Sequence, residues 1–136
     1  MIAALLLALS VPAAAETPAT VVARTMARAE KLVVSQNGKD ALEIRDLDRE
    51  AQNLSKDLKP LGWKAAPALA AAAQDLKRPP KVRLFAVSFL GLIRDPAAFP
   101  HLEDILLNEE QPPFVRSLAA QSLPAQGAPD FEVRRV

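Results

Sequence analysis

The sequence has no cysteine, no tyrosine and a single histidine, and each shortage closes a class of function. Without cysteine there is no disulfide, no thiolate metal site, no thiol nucleophile and no lipid-modified cysteine behind a leader. The redox state of the compartment therefore leaves no mark on the chain. Aromatic residues are limited to one tryptophan and five phenylalanines, so the core has to be aliphatic, built from Leu, Val and Ala. The four glycines form no phosphate-cradling loop. An excess of charge is missing too. With 17 basic and 16 acidic side chains the net charge is +1, and no net field exists to hold a polyanion, which argues against nucleic acid.

Apolar residues make up half of the 136-residue chain, room for one domain. The opening MIAALLLALSVPAAAETP carries an apolar run interrupted only by Ser10, then Pro12 and Ala13-Ala14-Ala15. That matches a secretory h-region with a small-residue cleavage site and is too short to span a bilayer. Residues 1–15 are therefore expected to be a signal peptide. The product would be exported, periplasmic or secreted, with no stable membrane span left after removal. The n-region lacks Lys and Arg, and the competing reading is a buried N-terminal helix.

Residues 16–61 read as a helical hairpin. Thr17-Pro18 offers an N-cap followed by a first-position proline, and Val22, Met26, Ala29 and Val33 recur at helical spacing. Asn37-Gly38 stops that helix. A second helix follows over residues 40–58, with Ile44, Leu47, Ala51, Leu54, Leu58 and Leu61 forming one apolar seam. The seam has heptad spacing over fewer than three heptads, which makes self-association through residues 44–61 a secondary expectation. Arg24, Arg28 and Lys31 share one face of the first helix, read as a solvated face before an anionic surface.

Beyond Lys59-Pro60-Leu61-Gly62 the chain repeats itself. RPPKVRLFAV at residues 78–87 returns as QPPFVRSLAA at residues 111–120, an offset of 33. In that register Ala65 meets Ala98, Pro67 meets Pro100, Leu69 meets Leu102 and Pro79-Pro80 meets Pro112-Pro113. Val82-Arg83 meets Val115-Arg116, Ala86 meets Ala119 and Leu90 meets Leu123. A period of 20 to 50 residues is the mark of a solenoid, whose units cannot bury their apolar faces alone and stack on one another. Two units follow, at residues 62–95 and 96–128, with a tail at 129–136. Each holds a helix A and a helix B. The paired prolines stand between them, where a missing N–H costs least: one closes the turn and the next opens helix B. Pro67 and Pro100 fall inside or near the start of helix A and are expected to bend it. VRLFAVSFLGLI is apolar nearly all round and should be covered on several sides, whereas VRSLAAQSLPAQ has a more polar face. The first unit is thus read as internal, the second as terminal, with Pro124 ending its last helix early.

The skeleton of Pro67, Asp75, Val82 and Arg83, and then Pro100, Asn108, Val115 and Arg116, resembles a HEAT repeat. The resemblance covers residues 62–128. It implies an all-α solenoid of stacked antiparallel helix pairs, a kinking proline in helix A, an acid or amide in the turn, and a Val-Arg pair opening helix B. The stretch from turn residue to Val-Arg is about two residues longer than the usual pattern. HEAT-like arrays are usually scaffolds that bind a protein segment on the surface lined by the B helices. A minority handle bilin chromophores or act on alkylated DNA.

No catalytic constellation stands out. His101 has carboxylates beside it but lacks the i, i+4 spacing of paired metal ligands, and it aligns with Ala68. Ser88, Ser117 and Ser122 lack a nucleophile-elbow context. Arg83 and Arg116 are read first as a ladder bonding neighbouring turns. The functional alternative has Arg116, with Ser117 and Gln121, anchoring a partner's carboxylate. The expectation is a non-catalytic, cofactor-free adaptor or scaffold whose partner is another protein. Alternatives are a HEAT-like chromophore or small-ligand lyase or binding protein, and a fragment of a longer repeat array.

Overall fold

In a computed structural model, residues 16–35 and 44–127 are described, the side chains of residues 35 and 44–48 excepted. Six α-helices follow in chain order: α1 (Pro18–Ser35), α2 (Ile44–Leu54), α3 (Ala66–Ala73), α4 (Pro80–Ile93), α5 (Phe99–Leu107) and α6 (Pro113–Ser122). Short 3₁₀ turns join them, and no strand occurs among the described residues. The all-α solenoid expected from the repeat is what forms. Helices α3 and α5 pack side by side with α1 in one layer, and α2, α4 and α6 make the other. The expected signal peptide, the Asn37-Gly38 stop and the tail at 129–136 lie outside the described residues.

The first helix starts as its sequence dictates. Thr17 Oγ1 accepts the Thr20 N–H at 3.2 Å, satisfying one orphan donor of the first turn, and Pro18 needs no acceptor. Val22, Thr25, Met26 and Ala29 share the buried face. Thr25 Oγ1 donates to the Val21 carbonyl at 3.0 Å, so its hydroxyl is satisfied inside the core. On the opposite face Arg24 donates to Glu16 and Arg28 to Asp57, in exposed ion pairs of 2.6 and 2.9 Å. Four positions of the expected seam pack within the chain. Ala51 and Leu58 are core residues, with Leu54 and Leu61 packed against them, so these four positions are not free to form a coiled-coil dimer. Ile44 and Leu47 have no described side chains.

The two repeats match in local detail. Pro79 and Pro112 sit in extended conformation (ψ 145° and 154°), each as the N-cap of a helix whose first residue is the second proline. The Pro79 carbonyl accepts the N–H groups of Val82 and Arg83, and the Pro112 carbonyl those of Val115 and Arg116. The prolines therefore act as expected between helices A and B. Pro67 and Pro100 behave differently from expectation. Each is the second residue of its α-helix, just after a 3₁₀ turn. The carbonyl that a non-proline N–H would have used accepts from the preceding residue instead: Trp63 from Ala66, Pro96 from Phe99. The proline thus marks a switch from 3₁₀ to α at the helix start, where no bond remains to be broken by a bend.

Helix α4 is the centre of the stack, with α1, α2, α3 and α6 all packed on it. Every residue from Val82 to Leu90 is buried except half-buried Leu84. Phe85 and Phe89 meet with ring centroids 6.1 Å apart, and burying each contributes about 1.5–3 kcal/mol. In the second unit the equivalents of Val87 and Ser88, Ala120 and Gln121, are exposed, and Leu118 and Leu123 are half-buried. Pro124 follows the end of α6 at Ser122 and lies in a 3₁₀ turn.

Candidate partner-binding trough

The intra-unit turns carry a buried polar ladder. Asp75 Oδ1 accepts the Lys77 N–H at 3.1 Å, and Asn108 Oδ1 accepts the Glu110 N–H at 3.0 Å, the same Asx turn 33 residues apart. The nearest cation to Asp75 lies in its own turn, Arg78 at 3.4 Å. Arg83, 6% exposed, donates through Nε to the Arg78 carbonyl at 3.0 Å and through Nη1 to Gln111 Oε1. Gln111 Nε2 donates in turn to the Ala73 carbonyl (2.8 Å) and to Gln74 Oε1 (2.9 Å), which also accepts from Asn108 Nδ2 (2.9 Å). Arg78, at the first unit's equivalent of Gln111, reaches back likewise to Glu30 on α1 at 2.7 Å. Each turn is thereby tied to the pair before it.

Arg116 donates through Nε to the Leu106 carbonyl at 2.8 Å, towards α5. Ser117 and Gln121 are exposed on α6 and bonded to each other at 3.3 Å. Of the three residues singled out for partner binding, Gln121 lines a cavity on that side of the stack. His101 is half-buried on α5, and among the described residues no group of three or more metal-ligating side chains occurs.

Two cavities of about 440 and 270 Å³ lie on the side formed by α2, α4 and α6. They share Gln52, Leu92 and Arg94, so they make one trough. Ser55, Leu58 and Lys59 line its first part; Ser88, Leu118 and Gln121 line its second. Residues from all three B-layer helices converge there.

Arg94, at the middle, is the one non-glycine residue with positive φ among those described (φ 54°, ψ 50°). A left-handed arginine costs about 1–2 kcal/mol, and such an outlier persists only where its surroundings fix it. Gln126 does the fixing. It is 1% exposed and comes from the turn after α6. Its Nε2 donates to the Gly91 carbonyl at 2.7 Å and to the Ser122 carbonyl at 3.0 Å, while Oε1 accepts the Asp95 N–H at 3.2 Å. The side-chain amide replaces the 95-to-91 helical bond that the left-handed turn removes, and clamps the chain on both sides of Arg94. Gly91 permits the close approach, since a Cβ there would stand 2.8 Å from Ser122 Oγ.

Sequence reasoning missed Arg94 and Gln126, and weighed Ser88 only as a nucleophile. One signal was present: at the repeat offset Arg94 aligns with Gly127, which also has positive φ (76°). An arginine where the sister unit has glycine is an anomaly of register.

Stacked antiparallel helix pairs, tied turn to turn, with a trough along one helix layer, define an α-solenoid repeat protein. The family model for HEAT repeats matches residues 47–124, more than half of the chain, and the chain belongs to that family. No curated protein and no solved structure matches it significantly. HEAT repeats commonly mediate protein interactions and are generally non-catalytic. Among the described residues no helix is long and apolar enough to cross a membrane.

Proposed function

We propose that the protein is a non-catalytic adaptor that holds an extended segment of another protein along the trough of α2, α4 and α6. The observation that carries this reading is the convergence of the two cavities on Gln52, Leu92 and Arg94, with apolar and polar side chains lining the wall side by side. Apolar side chains of the bound segment rest on Leu58, Leu92 and Leu118, and its backbone bonds to the amides of Gln52 and Gln121. The first fifteen residues support an exported location, in which the partner is an envelope or secreted protein.

The test is site-specific photo-crosslinking in the source cell, with the probe at Gln52 or Gln121 and a control probe at Glu103, exposed on α5. One protein captured from both trough positions, missed from the control and lost on Leu92→Arg, is the expected result. Equal capture from all three positions, or a co-purifying small molecule with no captured protein, rules the adaptor reading out. Fractionation of cells with and without residues 1–15 tests export.

A further inference from the structure

The trough carries charge of one sign only. Its charged lining groups are Lys59 and Arg94, and neither Asp nor Glu lines it. Most other arginines with described side chains are committed: Arg24, Arg28 and Arg78 to carboxylates, Arg83 and Arg116 to the turns. The side chains of Arg94 and Lys59 make no hydrogen bond or ion pair with any described residue. A second unmet group lies on the same wall. Ser88, 7% exposed on α4, has its Oγ without a hydrogen-bond partner, although an α-helical serine has a carbonyl one turn back within reach. An orphaned buried hydroxyl is costly unless something completes it.

The repeat register adds a reason to look at Arg94. Glycine would relieve the left-handed backbone, and the sister unit has glycine there; the first unit instead keeps an arginine, with Gln126 bonding the backbone at Gly91 and Asp95 on either side of it. We propose that the middle of the trough is a carboxylate-binding site, which takes an Asp or Glu side chain of an acidic protein segment in a forked pair with Arg94. The planar guanidinium presents two parallel N–H groups to the two carboxylate oxygens, a geometry that lysine does not offer. Lys59 attracts a second acidic residue along the segment, and Ser88 Oγ donates to a backbone carbonyl or to the carboxylate's free lone pair. This assignment rests on the trough being the docking surface.

The experiment uses two fluorescein-labelled ten-residue peptides, one alternating leucine with glutamate and one with glutamine in place of glutamate. Fluorescence anisotropy against the full chain is expected to give at least about tenfold tighter binding of the acidic peptide. Arg94→Gln should remove that preference and leave the glutamine peptide unchanged. Arg94→Lys should keep part of it, as a point charge without the fork. Arg94→Gly should remove it while the Tm holds or rises, which separates lost binding from lost folding. Equal affinity of both peptides for the wild type, binding of neither, or an acidic preference that survives Arg94→Gln overturns the proposal. If both peptides bind equally and both compete with trough crosslinking, the adaptor reading stands and the carboxylate site falls. If crosslinking does not map to the trough, both fall.

Discussion

Three arginines close to the B helices look alike in composition and differ in what stands opposite them. Arg83 is buried and bonded across units to Gln111, Arg116 is folded onto the end of α5, and Arg94 is held in a strained turn with its charge unspent. At Arg94 the strain has a measurable consequence. Arg94→Gly is expected to raise the stability of the fold by about 0.5–1 kcal/mol, because glycine adopts positive φ freely. Thermal unfolding checks this, and a fall in Tm would show that the side chain contributes more to the fold than its exposure implies. Gln111 is the opposite case. It is 2% exposed and serves Arg83, Ala73 and Gln74 at once. Gln111→Ala leaves a buried guanidinium and a buried carbonyl short of partners, and should cost about 2–3 kcal/mol in urea unfolding. Neither role could be read from residue type. Gln111 looked like a polar turn residue, and Arg94 like any surface cation.

The helices themselves follow local rules that the sequence displays. Paired prolines place helix starts at Pro80 and Pro113, Thr17 caps α1, and periodicity gives the buried faces. Pro67 and Pro100 show the limit of such rules: proline restricts its own residue, but whether that yields a bend or a 3₁₀ turn depends on its position in the helix. Because both lie in the first turn, Pro67→Ala and Pro100→Ala should each cost less than about 1 kcal/mol and leave helical circular dichroism unchanged. A large loss of stability would mean that the 3₁₀ turn itself is needed for stacking. At the start of α1, the Arg24 guanidinium bonded to Glu16 holds that carboxyl below its usual 4.5. The folded value is the depressed one, so this pair's contribution is present above pH 4.5 and lost as pH falls through the folded value. A carboxyl NMR titration of Glu16 should show the lowered midpoint, and Arg24→Gln should return it towards 4.5. The pair is exposed, and its effect on stability is small.

At the scale of the whole molecule, the stack has a centre and an edge. Helix α4 is packed on by four others, whereas α6 has its outer side uncovered among the described residues. Phe85→Ala should therefore cost about 3–5 kcal/mol, and Leu118→Ala, at the equivalent position one unit on, clearly less. Denaturant unfolding of the two variants checks the difference, and equal losses would mean that Leu118 is covered in solution. The sequence by itself determined the helices, the 33-residue period and the internal character of α4, because each follows from neighbours within a turn or two: a missing N–H, a spacing of three and four, an unbroken apolar run. Only the tertiary structure decided where the trough lies and which arginine faces it. Those depend on groups brought together from distant points of the chain, such as Gln126 closing on Gly91 from 35 residues away, and no local pattern encodes what will stand opposite a side chain once the helices have stacked.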